Sequence, residues 1–107
     1  MMNFYSFVMV RKIFRPWGVK VQYLNIRLLQ LALLVLRPYG RTSLQYHKHR
    51  FEILIRVRGR GKRLIVAPPF CIHRCSGPAV YFEVALGWFD ENDIVRLQDD
   101  YGRVSKK

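Results

Sequence analysis

Acid is scarce in this sequence and unevenly placed. Glu52 is the single Asp or Glu in residues 1–82, against fifteen Lys and Arg, while residues 83–107 hold six acids against four cations. The two stretches carry +14 and −2, which give the 107-residue chain its net +12. A field of that sign concentrates polyanions and confers salt-sensitive affinity for phosphates, so it points to nucleic acid or, failing that, to an anionic membrane surface.

Cysteine is nearly absent too. Cys71 and Cys75 stand alone, which excludes the disulfide framework of a secreted mini-protein and fits a reducing or neutral compartment. Long apolar runs are missing: Leu28 to Leu36 is nine residues without a charge between Arg27 and Arg37, where a membrane span needs roughly 20. The start, Met1-Met2-Asn3-Phe4, has no cationic stretch ahead of an apolar core, so no secretory signal is read. There is no phosphate-cradling glycine loop with its lysine, and the few carboxylates cluster near the C-terminus, so the expectation is a non-enzyme without cofactor, metal or small-molecule substrate. With 50% apolar residues the chain folds without staples, as one compact domain or two small lobes sharing a core.

Periodicity predicts an α+β fold. Dense apolar residues from Phe4 to Phe14 predict a short helix ended by Pro16, and Val19 to Tyr23 alternates as a half-buried strand does. Asn25 is placed to cap a helix that runs to about Arg37, apolar on nearly its whole circumference and stopped by Pro38 and Gly40. Extended segments follow at Thr42–Tyr46, Phe51–Val57 and Lys62–Ala67. In the second of these, Phe51, Ile53, Ile55 and Val57 face one way and Glu52, Leu54, Arg56 and Arg58 the other. Pro68 and Pro69 open a linker, and Val80–Ala85 and Ile94–Leu97 read as further strands around an acidic loop from Asp90 to Asp93. The expected organisation is an N-terminal helix, strand, helix and hairpin lobe over residues 1–67, then a short β-rich lobe over 68–107.

Three constellations have chemical potential. Between Arg56 and Arg63 five cations (Arg56, Arg58, Arg60, Lys62, Arg63) fill eight positions around Gly59 and Gly61, a basic knob on a turn. Aromatics interleave with cations from Tyr39 through Arg41, Tyr46, His47, Lys48, His49 and Arg50 to Phe51, a pattern suited to base stacking beside phosphate contacts. Cys71, His73 and Cys75 alternate on one face of an extended segment, with His47 and His49 as the second ligand pair a zinc site would need.

The segment Ile72-His73-Arg74-Cys75-Ser76-Gly77-Pro78, followed by Tyr81, resembles the I-x-R-x-S-x-P stretch and nearby tyrosine of the eighth protein of the small ribosomal subunit, bacterial and organellar type. Ile94-Val95-Arg96-Leu97, then Gly102, Val104 and Ser105, resembles that family's last strands, although Gln98, Asp99 and Asp100 stand where it has S-T-S and its final helix and G-G-E strand are missing. The resemblance implies a structural subunit that binds a central-domain stem of small-subunit ribosomal RNA beside neighbouring ribosomal proteins, with no membrane contact. The divergence and truncation imply a mitochondrial ribosome. Arg56, Arg58, Arg60, Lys62 and Arg63 are then expected on phosphates, with Arg41, Lys48 and Arg50 extending the path, Arg74, Ser76 and Tyr81 in the groove, and Gly102, at the turn after the second motif, and Arg103 also on the RNA. Two other classes remain: an accessory subunit of a membrane-bound assembly, and a small zinc-binding protein.

Overall fold

Alternation of large apolar residues with small or polar ones shapes most of this chain into strands. The computed structural model describes residues 10–26, 28–87 and 93–105. Among them lie eight strands: β1 (Arg11–Arg15), β2 (Gly18–Ile26), β3 (Leu29–Leu36), β4 (Leu44–His47), β5 (Arg50–Gly59), β6 (Leu64–Ala67), β7 (Ala79–Gly87) and β8 (Ile94–Gln98). Six form one antiparallel sheet in the order β1-β2-β3-β7-β5-β6, and β4 pairs with β8 in a second, smaller sheet. Isolated bridges from Arg41 to Ser76 and from Gln45 to His73 tie the segment before β7 to the smaller sheet. The result is a β-sandwich.

Register fixes what each face carries, because residues directly opposite one another share a side. Leu34 faces Tyr81, Leu54 faces Glu83 and Glu52 faces Ala85 on the inner side, toward the smaller sheet. Trp17, Leu34, Leu36, Leu54, Cys75, Ala79 and Tyr81 make the core there, with Ile65 and Tyr101 packed against it. The outer side carries Leu33 opposite Phe82, Val35 opposite Val80 and Ile53 opposite both Val66 and Val84. Gly18 is required where β2 meets β3, since a Cβ there would sit 2.0 Å from the Val35 carbonyl oxygen.

The expected α+β class is therefore corrected: among the described residues there is no α-helix. The helix expected over Phe4–Phe14 lies partly in residues 1–9, outside the described residues, and its remainder is β1. The one expected from Asn25 to Arg37 is the end of β2 and all of β3, with Asn25 paired to Gln30 rather than capping. An apolar run of this length fits a buried helix and a strand with two apolar faces equally well, and pairing with β2 and β7 decides for the strand. The strands expected in 19–23, 42–46, 51–57, 62–67, 80–85 and 94–97 overlap β2 and β4 to β8. A boundary at 67/68 does not divide the chain into lobes, because β7 is inserted between β3 and β5.

Candidate functional site

Polar residues at inward positions of otherwise apolar strands mark the site. Lys20 and Gln22 come from β2, Gln30 from β3, Arg50 and Glu52 from β5 and Glu83 from β7; the core closes over the same sheet face further along. Gln45 and His47 reach in from β4, and the extended segment before β7 brings His73. Buried polar groups need partners, and here they find one another.

Glu52 is the hub. Its Oε1 is 2.9 Å from His47 Nε2 and 2.9 Å from His73 Nε2, and its Oε2 is 3.2 Å from Arg50 Nη2. Burial works to raise the Glu52 carboxyl, but the hydrogen bonds from both imidazoles and the charge of Arg50 prevail and hold it well below the ordinary carboxylate range. His73 donates its Nδ1 proton to the Cys71 carbonyl at 3.0 Å, which turns Nε2 onto Glu52. Burial lowers the His73 pKa and the bond to Glu52 raises it, with a net upward shift. Glu83 lies on the other side of Arg50, 3.1 Å from Nη2, and 3.3 Å from Lys20 Nζ. Its carboxyl is pushed up, first by burial and then by the charge of Glu52. Gln30 Oε1 accepts from Lys20 at 2.8 Å and from Arg50 at 3.0 Å, locking both cations in place.

His47, Glu52 and His73 offer three ligand atoms within 4.8 Å of one another, all three residues being buried. Donors ~2.1 Å from a transition metal sit roughly 3–3.5 Å apart when adjacent, so two imidazoles and a carboxylate at this spacing fit a divalent ion such as zinc, manganese or iron. The His73 bond to the Cys71 carbonyl is the kind of outer contact that orients a ligating imidazole. Gln45 Nε2 lies 3.5 Å from His47 Nε2, so rotating its amide would present an oxygen as a further donor.

Lys20, Gln45, His47, Arg50, Glu52 and Glu83 open onto a cavity of about 410 Å³ lined also by Arg15, Trp17, Ile94, Arg96 and Arg103, with His73 behind Glu52. Arg96 Nε is buried and takes no hydrogen bond among the described residues. Burial lowers the Arg96 pKa, and the charges of Arg103 and Arg15 lower it further, so cations crowd one another at this wall. Arg103 is held by Asp99, Nε to Oδ2 at 2.9 Å. Asp93 accepts from the backbone N–H of Lys48 at 2.9 Å and of His49 at 3.1 Å, fastening the turn after His47 to the start of β8.

The residues expected to contact RNA are scattered over this architecture. Arg41 pairs with Asp100, Nη2 to Oδ1 at 2.8 Å, and Arg74 Nε donates to the Thr42 carbonyl at 3.0 Å. Tyr81 is 1% exposed and donates to the Lys62 carbonyl, so it cannot enter a groove. Arg50 serves the buried carboxylates, and Arg103 lines the cavity. Gly102 is in the turn after Asp99, and Ser76 bridges to Arg41. Arg58, Arg60, Lys62 and Arg63 are exposed at the β5–β6 end with Lys48 exposed elsewhere, while Arg56 folds back onto the Gly61 carbonyl. The cysteine-based zinc set is not assembled. Cys75 is in the core, its thiol pushed up by burial, and His49 is exposed.

Lys20, Glu83 and Arg96 escaped the sequence reading, as did Glu52's role. The signal was present in Lys20 and Gln22 interrupting a valine strand and in the isolated acids Glu52 and Glu83 at inward positions of apolar strands.

The family described as mannose-6-phosphate isomerase C-terminal matches residues 5–82. The chain is 32% identical to the xanthan biosynthesis protein XanB of Xanthomonas campestris over 88% of its length and 24% of that protein. It is 25% identical to a mannose-1-phosphate guanylyltransferase of Escherichia coli, over 87% of its length and 24% of that enzyme. It thus spans about a quarter of the curated relatives it matches. Its fold is that of the capsular polysaccharide assembling protein CapF of Staphylococcus aureus (TM-score 0.69, 13% identity, 84% of this chain and 33% of that one). It is also that of a Planctomyces limnophilus protein (TM-score 0.63, 17% identity, 88% and 94%). The sandwich is accordingly cupin-like.

These matches overturn the ribosomal family, its ribosomal RNA and protein partners, the non-enzymatic role and the mitochondrial setting. They also leave the membrane-assembly and small zinc-protein alternatives without support. The basic balance that suggested RNA is instead spent partly inside the cavity, on Lys20, Arg50, Arg96 and Arg103.

Proposed function

This chain belongs to the mannose-6-phosphate isomerase C-terminal family, and from that membership we propose that its cavity binds a phosphorylated sugar and isomerises it at the carbonyl end. The observation that carries the reading is the meeting, in one cavity, of His47, Glu52 and Glu83 with Arg15, Arg96 and Arg103. An aldose phosphate needs two unlike subsites, cations for its dianionic phosphate and polar groups at its carbonyl. The crowded arginines supply the first, since a phosphate oxygen would satisfy the buried Arg96 Nε and relieve the repulsion around it.

His47, Glu52 and His73, with Gln45 beside them, would hold a divalent ion, and that ion supplies Lewis acidity toward a sugar oxygen. Glu83 lines the same cavity, and its raised carboxyl suits it to take a proton from the carbon next to the carbonyl and return it to the former carbonyl carbon, while that neighbouring carbon's hydroxyl proton passes to the carbonyl oxygen. Lys20, bonded to Gln30 and 3.3 Å from Glu83, positions that carboxylate.

The test is a coupled assay of ketose phosphate formation from mannose 6-phosphate, with the purified chain loaded with zinc, manganese or cobalt. Turnover is expected from the loaded chain, with its loss in Glu52→Gln and a raised KM at nearly unchanged kcat in Arg96→Gln. Neither turnover nor calorimetric binding of mannose 6-phosphate by the loaded chain would overturn the reading.

A further inference from the structure

Asp99 stands directly behind the arginine wall of the cavity, where an acid repels the phosphate that those cations attract. Its carboxylate grips Arg103 as a fork, Oδ2 accepting from Nε at 2.9 Å and Oδ1 from Nη2 at 3.0 Å, and Oδ2 also accepts from the Arg103 backbone N–H at 2.6 Å. The Asp99 side chain is fully buried and that of Arg103 is 27% exposed, so the acid is sealed away while the guanidinium reaches the cavity.

The backbone sets up this clamp. After β8 the chain turns at Gly102, whose N–H donates to the Asp99 carbonyl, and folds back so that the Ser105 N–H donates to the Arg96 carbonyl at 3.0 Å and the Arg96 N–H to Ser105 Oγ at 2.9 Å. Arg103 is thereby returned to the neighbourhood of Arg96. The Arg103 guanidinium carbon also lies over the Tyr101 ring, 5.7 Å from its centre, and Tyr101 is itself packed against the core. With Nε and Nη2 engaged by Asp99, Nη1 has no acceptor among the described residues and is left for a ligand. Burial, then the charges of Arg103 and Arg15, lower the Arg96 pKa, and the charge of Asp99 works against them, so the acid also eases the crowding of the cations.

We propose that Asp99 is a positioning residue of the phosphate subsite, holding Arg103 as a fixed fork toward a phosphate bound beside Arg96; the proposal rests on the sugar-phosphate reading of the cavity. A free arginine side chain gives up its rotamer freedom when it meets a phosphate, whereas one already clamped on two sides has little left to lose.

Charge and geometry predict opposite signs here. Asp99→Asn adds one positive charge to the subsite, so a carboxylate that acted only through its charge would, on removal, tighten anion binding. A carboxylate that acts through the fork would, on removal, loosen it.

Calorimetric titration of the zinc-loaded wild type and variants with mannose 6-phosphate and with inorganic phosphate tests the proposal. Asp99→Asn, checked for folding by circular dichroism at neutral pH, is expected to bind both about tenfold more weakly. Asp99→Glu keeps the charge but lengthens the arm by one carbon, and is expected to weaken both about threefold. Affinity in folded Asp99→Asn equal to or above that of the wild type overturns the proposal. Should that variant not fold, wild-type affinity in Asp99→Glu overturns it instead. A wild type that binds neither anion removes the subsite and the proposal with it. Phosphate binding that depends on Asp99 in a chain that neither binds nor turns over mannose 6-phosphate would sink the isomerase reading alone and leave the clamp in place.

Discussion

Lys20 Nζ lies 3.3 Å from Glu83 Oε1, with side chains only 14% and 6% exposed, so a cation from β2 and an acid from β7 neutralise one another across β3. Removing one charge of a buried pair strands the other. Lys20→Met is therefore expected to cost about 3 kcal/mol, moderated by Arg50, which stays 3.1 Å from Glu83. The double variant Lys20→Met, Glu83→Gln should recover much of the loss. Urea denaturation measures both, and an unchanged midpoint in the single variant would remove the pair from the account of stability.

Acid sensitivity follows from Asp99. Hydrogen bonds from the Arg103 side chain, opposed by burial and helped by the Arg103 backbone N–H, hold its carboxyl below the ordinary range. A carboxylate whose folded pKa is depressed contributes stability that is complete above its unfolded pKa, ~3.9, and is lost as pH falls through the lower folded value. The window thus lies below about pH 4. In Asp99→Asn the wild type's extra loss of stability over that interval should shrink, as thermal melts at successive pH values would reveal; parallel curves for the two proteins contradict the assignment.

Metal binding should be visible as stability. A ligand that binds only the folded state adds about 2.7 kcal/mol at a hundred times its dissociation constant. Zinc is expected to raise the melting temperature of the wild type, a chelator to reverse the rise, and Glu52→Gln to abolish it. The same rise in Glu52→Gln would show that the ion binds elsewhere.

Two glycines separate backbone strain from collision. Gly59 has φ +95° and a Cβ there would lie 2.4 Å from the Pro78 carbonyl oxygen, whereas Gly102 has φ +77° and nothing within 4 Å. Gly102→Ala should cost about 1 kcal/mol for the left-handed conformation alone, and Gly59→Ala about 3 kcal/mol because β5 must also shift from β7. Equal losses in calorimetry would mean that the crowding at Gly59 relaxes freely.

The regions of the fold legible in the sequence were those with a period of two. Val19-Lys20-Val21-Gln22-Tyr23 and Phe51 to Val57 announce their strands. Leu29–Leu36 hides its period, because residues on both sides of β3 are apolar, and only its neighbours β2 and β7 reveal it as a strand. The position of β7 between β3 and β5 is a non-local pairing with no local signature. At the site, His47 and His73 could be suspected of sharing a ligand, but the sequence offered cysteines as their company. What unites them is Glu52, which the charge count marked as singular without saying why. Arg50 and Arg103 looked like pieces of an RNA surface because a basic residue in one dimension carries no sign of whether it points outward or into a cavity.

The insertion of β7 also sets the order in which the molecule can be built. During synthesis the meander β1-β2-β3 and the hairpin β5-β6 both emerge before residues 79–87, yet neither touches the other through the large sheet until that strand arrives. Until then two greasy half-sheets wait with open edges at β3 and β5, and pairings this distant along the chain close slowly, on the millisecond to second scale. A nascent chain stalled short of Ala79 would hold a bare edge of its longest strand, Arg50–Gly59, open to any passing partner.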